Sequence, residues 1–154
     1  MRRRLVLLMA ICTGAALAAP LPYDEAADAK AQVRQALAEA SQSKLPVLIV
    51  FGANWCPDCR ALDASLKTGK NAELMARSFK VVKVDVGRFD RNLDVSAAYG
   101  DPIKKGIPAA VVLSPTNELL YSTRAGELSN ARTMSETGVY EFFSQAAHTA
   151  KAGK

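Results

Sequence analysis

The sequence has one histidine, three cysteines and one tryptophan, and aromatic residues make up only 6% of its 154 positions. A structural zinc site needs four ligands. Beyond Cys56 and Cys59 the candidates are Cys12 and the lone His148, so no metal site is expected. The uncharged apolar run Leu5–Ala19 is fifteen residues long, short of the ~20 a helix needs to span a bilayer. No internal repeat is visible. With 49% hydrophobic and 23% charged residues, disorder is excluded for the bulk of the chain, and the length suits one ordinary domain.

Charge of one sign is in modest excess, 20 Lys and Arg against 15 Asp and Glu, a net +5. Three of those cations form the stub Met1-Arg2-Arg3-Arg4 ahead of the apolar run, which ends in Ala16-Leu17-Ala18 before Ala19-Pro20. This order predicts a secretory signal peptide over residues 1–18, cut after Ala18; an uncleaved anchor is the alternative. Cleavage would leave 17 basic residues against 15 acidic, a net +2, which removes the case for a nucleic-acid partner and predicts no stable membrane insertion. The remaining cysteines, Cys56 and Cys59, would work in a periplasmic or otherwise extracytoplasmic compartment where disulfides persist. The expected organisation is signal 1–18, linker 19–23, domain 24–150 and flexible tail 151–154.

Within the domain, Ala26, Ala29, Val33, Ala36, Leu37 and Ala40 mark one face of a helix opened by Asp24. Residues 46–51 form a continuous apolar run suited to a strand buried on both faces. A helix follows from Cys59 to Lys67 and another from Asn71, its cap, to Ser78. Alternation over Phe79–Val86 predicts a strand, with Lys83 and Asp85 on a polar or partly covered face. A helix over Asn92–Tyr99, an apolar strand with Pro108 at its first position, an antiparallel partner at 119–123 and a C-terminal helix complete the chain. Thr133-x-x-Glu136 is a candidate capping box, with Thr137 as its rival. The fold class is therefore α/β, a small mixed β-sheet flanked by helices, with an extra helix at the N-terminus.

Trp55-Cys56-Pro57-Asp58-Cys59 lies between a buried strand and the first turn of a helix. Unpaired N–H groups and the helix dipole stabilise a thiolate there. Cys56, the exposed member, is the expected nucleophile, and Cys59, one turn on, the expected resolving thiol. A static disulfide closing so short a loop would add little stability.

With Val50-Phe51-Gly52-Ala53-Asn54-Trp55-Cys56-Pro57-Asp58-Cys59, then Gly106-Ile107-Pro108 before a strand, then Ala125-Gly126, residues 45–150 resemble the thioredoxin superfamily. The similarity is to exported domains related to the C-terminal domain of DsbD-type disulfide reductases. The resemblance implies that Pro108 is cis and packs beside the cysteines. It also implies that the Ile107 backbone pairs with an extended substrate segment, that Gly126 leaves room for it, and that Trp55 joins the contact surface. Thioredoxins usually carry a buried acid five residues before this tryptophan and a lysine on the neighbouring strand. Here those positions fall on Val50 and Val81, leaving water or Asp58 to take the proton from Cys59.

Asp58 also places a negative charge between the cysteines, which disfavours the thiolate and makes the pair a better electron donor. The expected function is extracytoplasmic thiol:disulfide exchange that reduces protein disulfides. It needs no bound cofactor, and the resemblance implies a membrane thiol reductase as electron donor. A disulfide oxidase or isomerase with the same cysteines, or a redox-inert binding module, are the alternatives.

Overall fold

The structure, a computed structural model, describes residues 20–152. The basic stub, the apolar run, Cys12 and the expected cleavage point at Ala18 lie outside the described residues, as do Gly153 and Lys154. The first helix, α1 (Ala29–Ser43), starts at Asp28, whose side chain accepts from Ala31 N at 3.0 Å. It does not start at Asp24, which closes a tight turn by accepting from Ala26 N. Tyr23, in the expected linker, is 3% exposed and belongs to the core. Residues 20–28 therefore include packed structure as well as connection.

The central strand β1 (Val47–Gly52) is buried along its whole length. It pairs in parallel with β2 (Lys80–Asp85) and antiparallel with β3 (Ala109–Leu113), which pairs antiparallel with β4 (Leu119–Ser122); the sheet order is β2-β1-β3-β4. Both faces of β1 are covered, which accounts for its unbroken apolar run. Val47, Ile49 and Phe51 pack with Val33 and Ala40 of α1. Leu48 and Val50 pack on the other face with Leu62, Leu74, Val139 and Phe143. Phe51 and Phe143 are fully buried, each contributing about 1.5–3 kcal/mol of apolar burial.

That second layer consists of α2 (Pro57–Leu66), α3 (Gly69–Ser78) and α5 (Glu136–Ala152); a short α4 (Leu93–Ala98) follows β2. Asn71 does not cap α3. It is buried, and its amide donates to Ser65 Oγ at 3.0 Å and to the Glu136 carbonyl at 3.3 Å, joining three helices. Nor does either threonine cap α5, because Ser135 Oγ accepts from Gly138 N at 3.0 Å while Thr133 sits in a one-turn 3-10 helix. Helix α5 continues through Lys151 and Ala152, part of the expected tail. No helix among the described residues is long and apolar enough to cross a membrane.

Three consequences of this topology converge at one end of the sheet. The parallel strands β1 and β2 finish there at Gly52 and Asp85, which are register partners. Helix α2 starts there. Because β3 runs against β1, with Ala109 opposite Phe51, the Ile107–Pro108 segment entering β3 arrives at the same place.

Candidate active site

Cys56 is the N-cap of α2, with extended backbone, and Pro57 takes the first helical position. A proline costs nothing there, since that N–H has no helical partner. The cap geometry turns Cys56 Sγ back over the first turn, where it accepts from Cys59 N at 3.2 Å. One of the orphan amides of the helix start is thus aimed at the nucleophilic sulfur. The expectation that Cys56 is exposed is corrected: it is 4% exposed. Its Sγ donates to the Ile107 carbonyl at 3.7 Å, so the segment entering β3 covers it. The Ile107–Pro108 peptide is cis, and both residues are buried.

Cys59 is completely buried. Burial first, then its contact with Cys56 and the negative charge of Asp58, push its thiol well above the ordinary range. The proton on this sulfur is held tightly until the chemistry demands its release. Both thiols are free.

Asp58 was expected to act on the cysteines through an open charge, or as the base for Cys59. Its charge does act on Cys59, and its carboxylate is also bound by a second partner. Oδ1 accepts from Arg132 N at 3.0 Å and lies 3.8 Å from the Arg132 guanidinium, holding the 3-10 turn of residues 131–133 against α2. The position of the missing acid–lysine pair is also corrected. The residue opposite Val50 is Lys83, not Val81. Lys83 forms an ion pair with Asp63, one turn beyond Cys59 on α2, and Asp63 also pairs with Lys67 at 2.8 Å. The lysine is kept on the strand, and its carboxylate comes from the helix. Burial lowers the Lys83 pKa.

Asp85 was placed on a polar or partly covered face. It is buried, and Oδ2 accepts from Gly87 N at 3.2 Å and from Arg91 at 3.4 Å. Oδ1 has no hydrogen-bond partner, and burial raises the carboxyl pKa.

Trp55 is 45% exposed. Its Nε1 donates to the Gly87 carbonyl at 2.7 Å, the Phe89 ring meets it edge-on at 6.5 Å, and the Arg88 guanidinium lies 5.5 Å from its ring centroid. With Phe89 and Leu93 also exposed, an apolar shelf flanks the cysteines. Gly126 has φ +77°, and a Cβ there would stand 2.8 Å from the Lys105 carbonyl. The glycine is therefore required by its own backbone conformation and by the close approach of the segment at Lys105. Among the described residues no group of three or more His, Cys, Asp or Glu is placed to hold a metal ion.

Sequence reading missed Tyr23, Asp63 and Asp85. Tyr23 and Asp85 reach the site from distant segments; no local periodicity marks Tyr23, and the alternation that places Asp85 on β2 does not mark its burial. Gly52 at the end of a buried strand is the available signal, since glycine in a strand often marks the close approach of another group.

The family model described as thioredoxin-like matches residues 28–115. The chain belongs to the thioredoxin-like family. A disulphide isomerase from Xylella fastidiosa Temecula1 is 58% identical, with 83% of this chain and 98% of that chain covered and a TM-score of 0.81. A DsbH oxidoreductase (16% identity, 77% and 81% covered, TM-score 0.53) and a thioredoxin from Thermus thermophilus (19%, 79% and 88%, TM-score 0.54) share the fold. The comparison with curated proteins finds no match. This thioredoxin-like chain is a thiol:disulfide oxidoreductase with a Cys-x-x-Cys pair at the start of α2.

Proposed function

We propose that the chain reduces protein disulfides outside the cytoplasm, using Cys56 and Cys59 alone and no bound cofactor. The Cys56 thiolate attacks one sulfur of the substrate disulfide, forming a mixed disulfide and releasing the other substrate sulfur as a thiolate. Cys59 then loses its proton and attacks Cys56 Sγ. The second substrate sulfur leaves and takes up a proton. Two electrons have passed from the dithiol to the substrate, and the Cys56–Cys59 disulfide must be reduced again, in this reading by a membrane thiol reductase. Trp55, Ile107, Pro108 and Gly126 border the path of the substrate segment, with the Ile107 backbone as the edge it pairs with.

The observation carrying the direction is the setting of the resolving thiol: Cys59 is completely buried, and burial first, then Cys56 and Asp58, disfavour its thiolate. A strong oxidant requires a stabilised reduced form, and a buried site that disfavours the thiolate works against one. The test is the equilibrium potential of the pair. A value near or below about −220 mV supports the reductase. The 58%-identical relative, a disulphide isomerase, favours a second reading, isomerisation; a potential between about −180 and −120 mV would select isomerase or oxidase over reductase. In either case Cys56→Ser should abolish the reduction of insulin disulfides by dithiothreitol-fed protein.

A further inference from the structure

Tyr23 is buried beside the cysteines, and its backbone is latched to the active-site turn. Its N–H donates to Asn54 Oδ1 at 3.0 Å, and its carbonyl accepts from Asn54 Nδ2 at 2.8 Å. The same Nδ2 donates to Glu25 Oε1 at 2.9 Å. Asn54 stands next to Trp55, so the segment before α1 is tied to the turn carrying the nucleophile. The Tyr23 side chain enters the space left free by Gly52. A Cβ on Gly52 would collide with the Tyr23 hydroxyl and would lie 2.9 Å from Cys59 Sγ. The hydroxyl and the resolving sulfur therefore occupy one small space above the end of β1. A phenylalanine would fill the apolar part of this site as well. Burying a hydroxyl costs free energy unless it has a partner, so its placement against a sulfur calls for a chemical role.

We propose that Tyr23 is a positioning residue for the resolving step, its hydroxyl donating a hydrogen bond to Cys59 as that sulfur becomes a thiolate. The inference rests on the dithiol mechanism proposed above. Burial first, then the acidic groups facing the hydroxyl, Cys59 of α2, Cys56 at its N-cap and Asp85 of β2, raise its pKa well above the ordinary tyrosine value. The group therefore stays protonated at neutral pH and acts as a donor, not as a base. In the step itself the Cys59 proton passes to solvent, the Cys59–Cys56 bond forms and the substrate sulfur leaves. Tyr23 keeps its proton throughout and offsets part of the cost of an anion in a dry site.

The test uses the full chain carrying Cys12→Ser, so that Cys56 and Cys59 are its thiols, reacted in stopped flow with the aromatic disulfide 5,5′-dithiobis(2-nitrobenzoate). Attack by Cys56 releases one coloured thiolate at a rate proportional to reagent. Resolution by Cys59 releases the second at a rate independent of reagent. Tyr23→Phe should leave the first rate within about twofold and slow the second about tenfold or more, the scale of one hydrogen bond to a charged group. In a Cys56→Ser background, Tyr23→Phe should also move the rise of Cys59 thiolate absorbance to higher pH, which lost packing alone would not do. If the parent releases two thiolates and Tyr23→Phe resolves at the parental rate, or slows both phases equally, this inference is overturned and the proposed function stands. If the parent releases only one, as Cys59→Ser must, both fail together.

Discussion

Cys56 and Cys59 are one helical turn apart and chemically identical, yet different parts of the chain make their surroundings. The setting of Cys56 is local on the side of its helix, with an N-cap backbone, a proline at the first helical position and the Cys59 amide 3.2 Å from its sulfur, and one distant segment, at the Ile107 carbonyl, covers it. The setting of Cys59 is assembled from afar, with Tyr23 from the segment before α1, Gly52 from β1, and α2 tied to β2 through Asp63 and Lys83. A helix start offers donors to whatever caps it. Taking a thiol out of water requires several segments to close on it. One motif thus yields a sulfur that caps its own helix and a second that the fold keeps protonated.

The sharpest test of this contrast is differential alkylation. At neutral pH iodoacetamide should modify Cys56 and leave Cys59 unmodified in the folded chain, as peptide mass mapping would show; equal labelling would erase the distinction. Next in size, Gly52→Ala puts a methyl group where the Tyr23 ring and Cys59 Sγ already are. It should cost about 1–3 kcal/mol of stability, read from denaturant midpoints, and should disturb Cys59 more than Cys56. Asp63→Ala leaves Lys83 half-buried beside the helix that carries Cys59. Loss of its partner should cost about 1–3 kcal/mol, less in Asp63→Ala combined with Lys83→Met.

A pH effect should follow from Asp85, whose carboxyl is held above its ordinary pKa by burial. The folded chain therefore binds this proton up to a higher pH than the unfolded chain does. Stability falls as pH rises from the ordinary aspartate value through the raised one, and the penalty is complete above it. Asp85→Asn should accordingly gain on the parent in urea midpoint with rising pH and lose that gain in acid. The smallest effect should come from Asp58→Asn, because Arg132 already holds that carboxylate. A shift in the equilibrium potential under about 30 mV is expected, and a larger one would restore Asp58 as the main influence on the pair.

Legibility along the sequence followed the range of the interactions. The apolar run of β1, the alternation of β2 and the helical spacing of Val139, Phe143 and Ala146 are short-range patterns, and the elements appear within a few residues of their expected limits. Caps were less legible, because a cap is decided by which of several neighbouring polar side chains reaches an amide: Asp28 prevailed over Asp24, and Ser135 over Thr133 and Thr137. Strand register was not legible at all. Val81 and Lys83 are two residues apart on the same side of β2, and only the pairing with β1 puts Lys83 opposite Val50.

By itself the sequence determined the α/β order, the helix start beneath Trp55-Cys56-Pro57-Asp58-Cys59 and the disulfide chemistry that follows, since each depends on groups within a few bonds or one turn of one another. Only the tertiary structure decided that Arg132 occupies Asp58, that the carboxylate for Lys83 comes from α2, and that Tyr23 shares the space above Gly52 with Cys59. Those outcomes depend on where segments tens of residues apart come to rest, and burial and charge act through space there, whatever the separation along the chain.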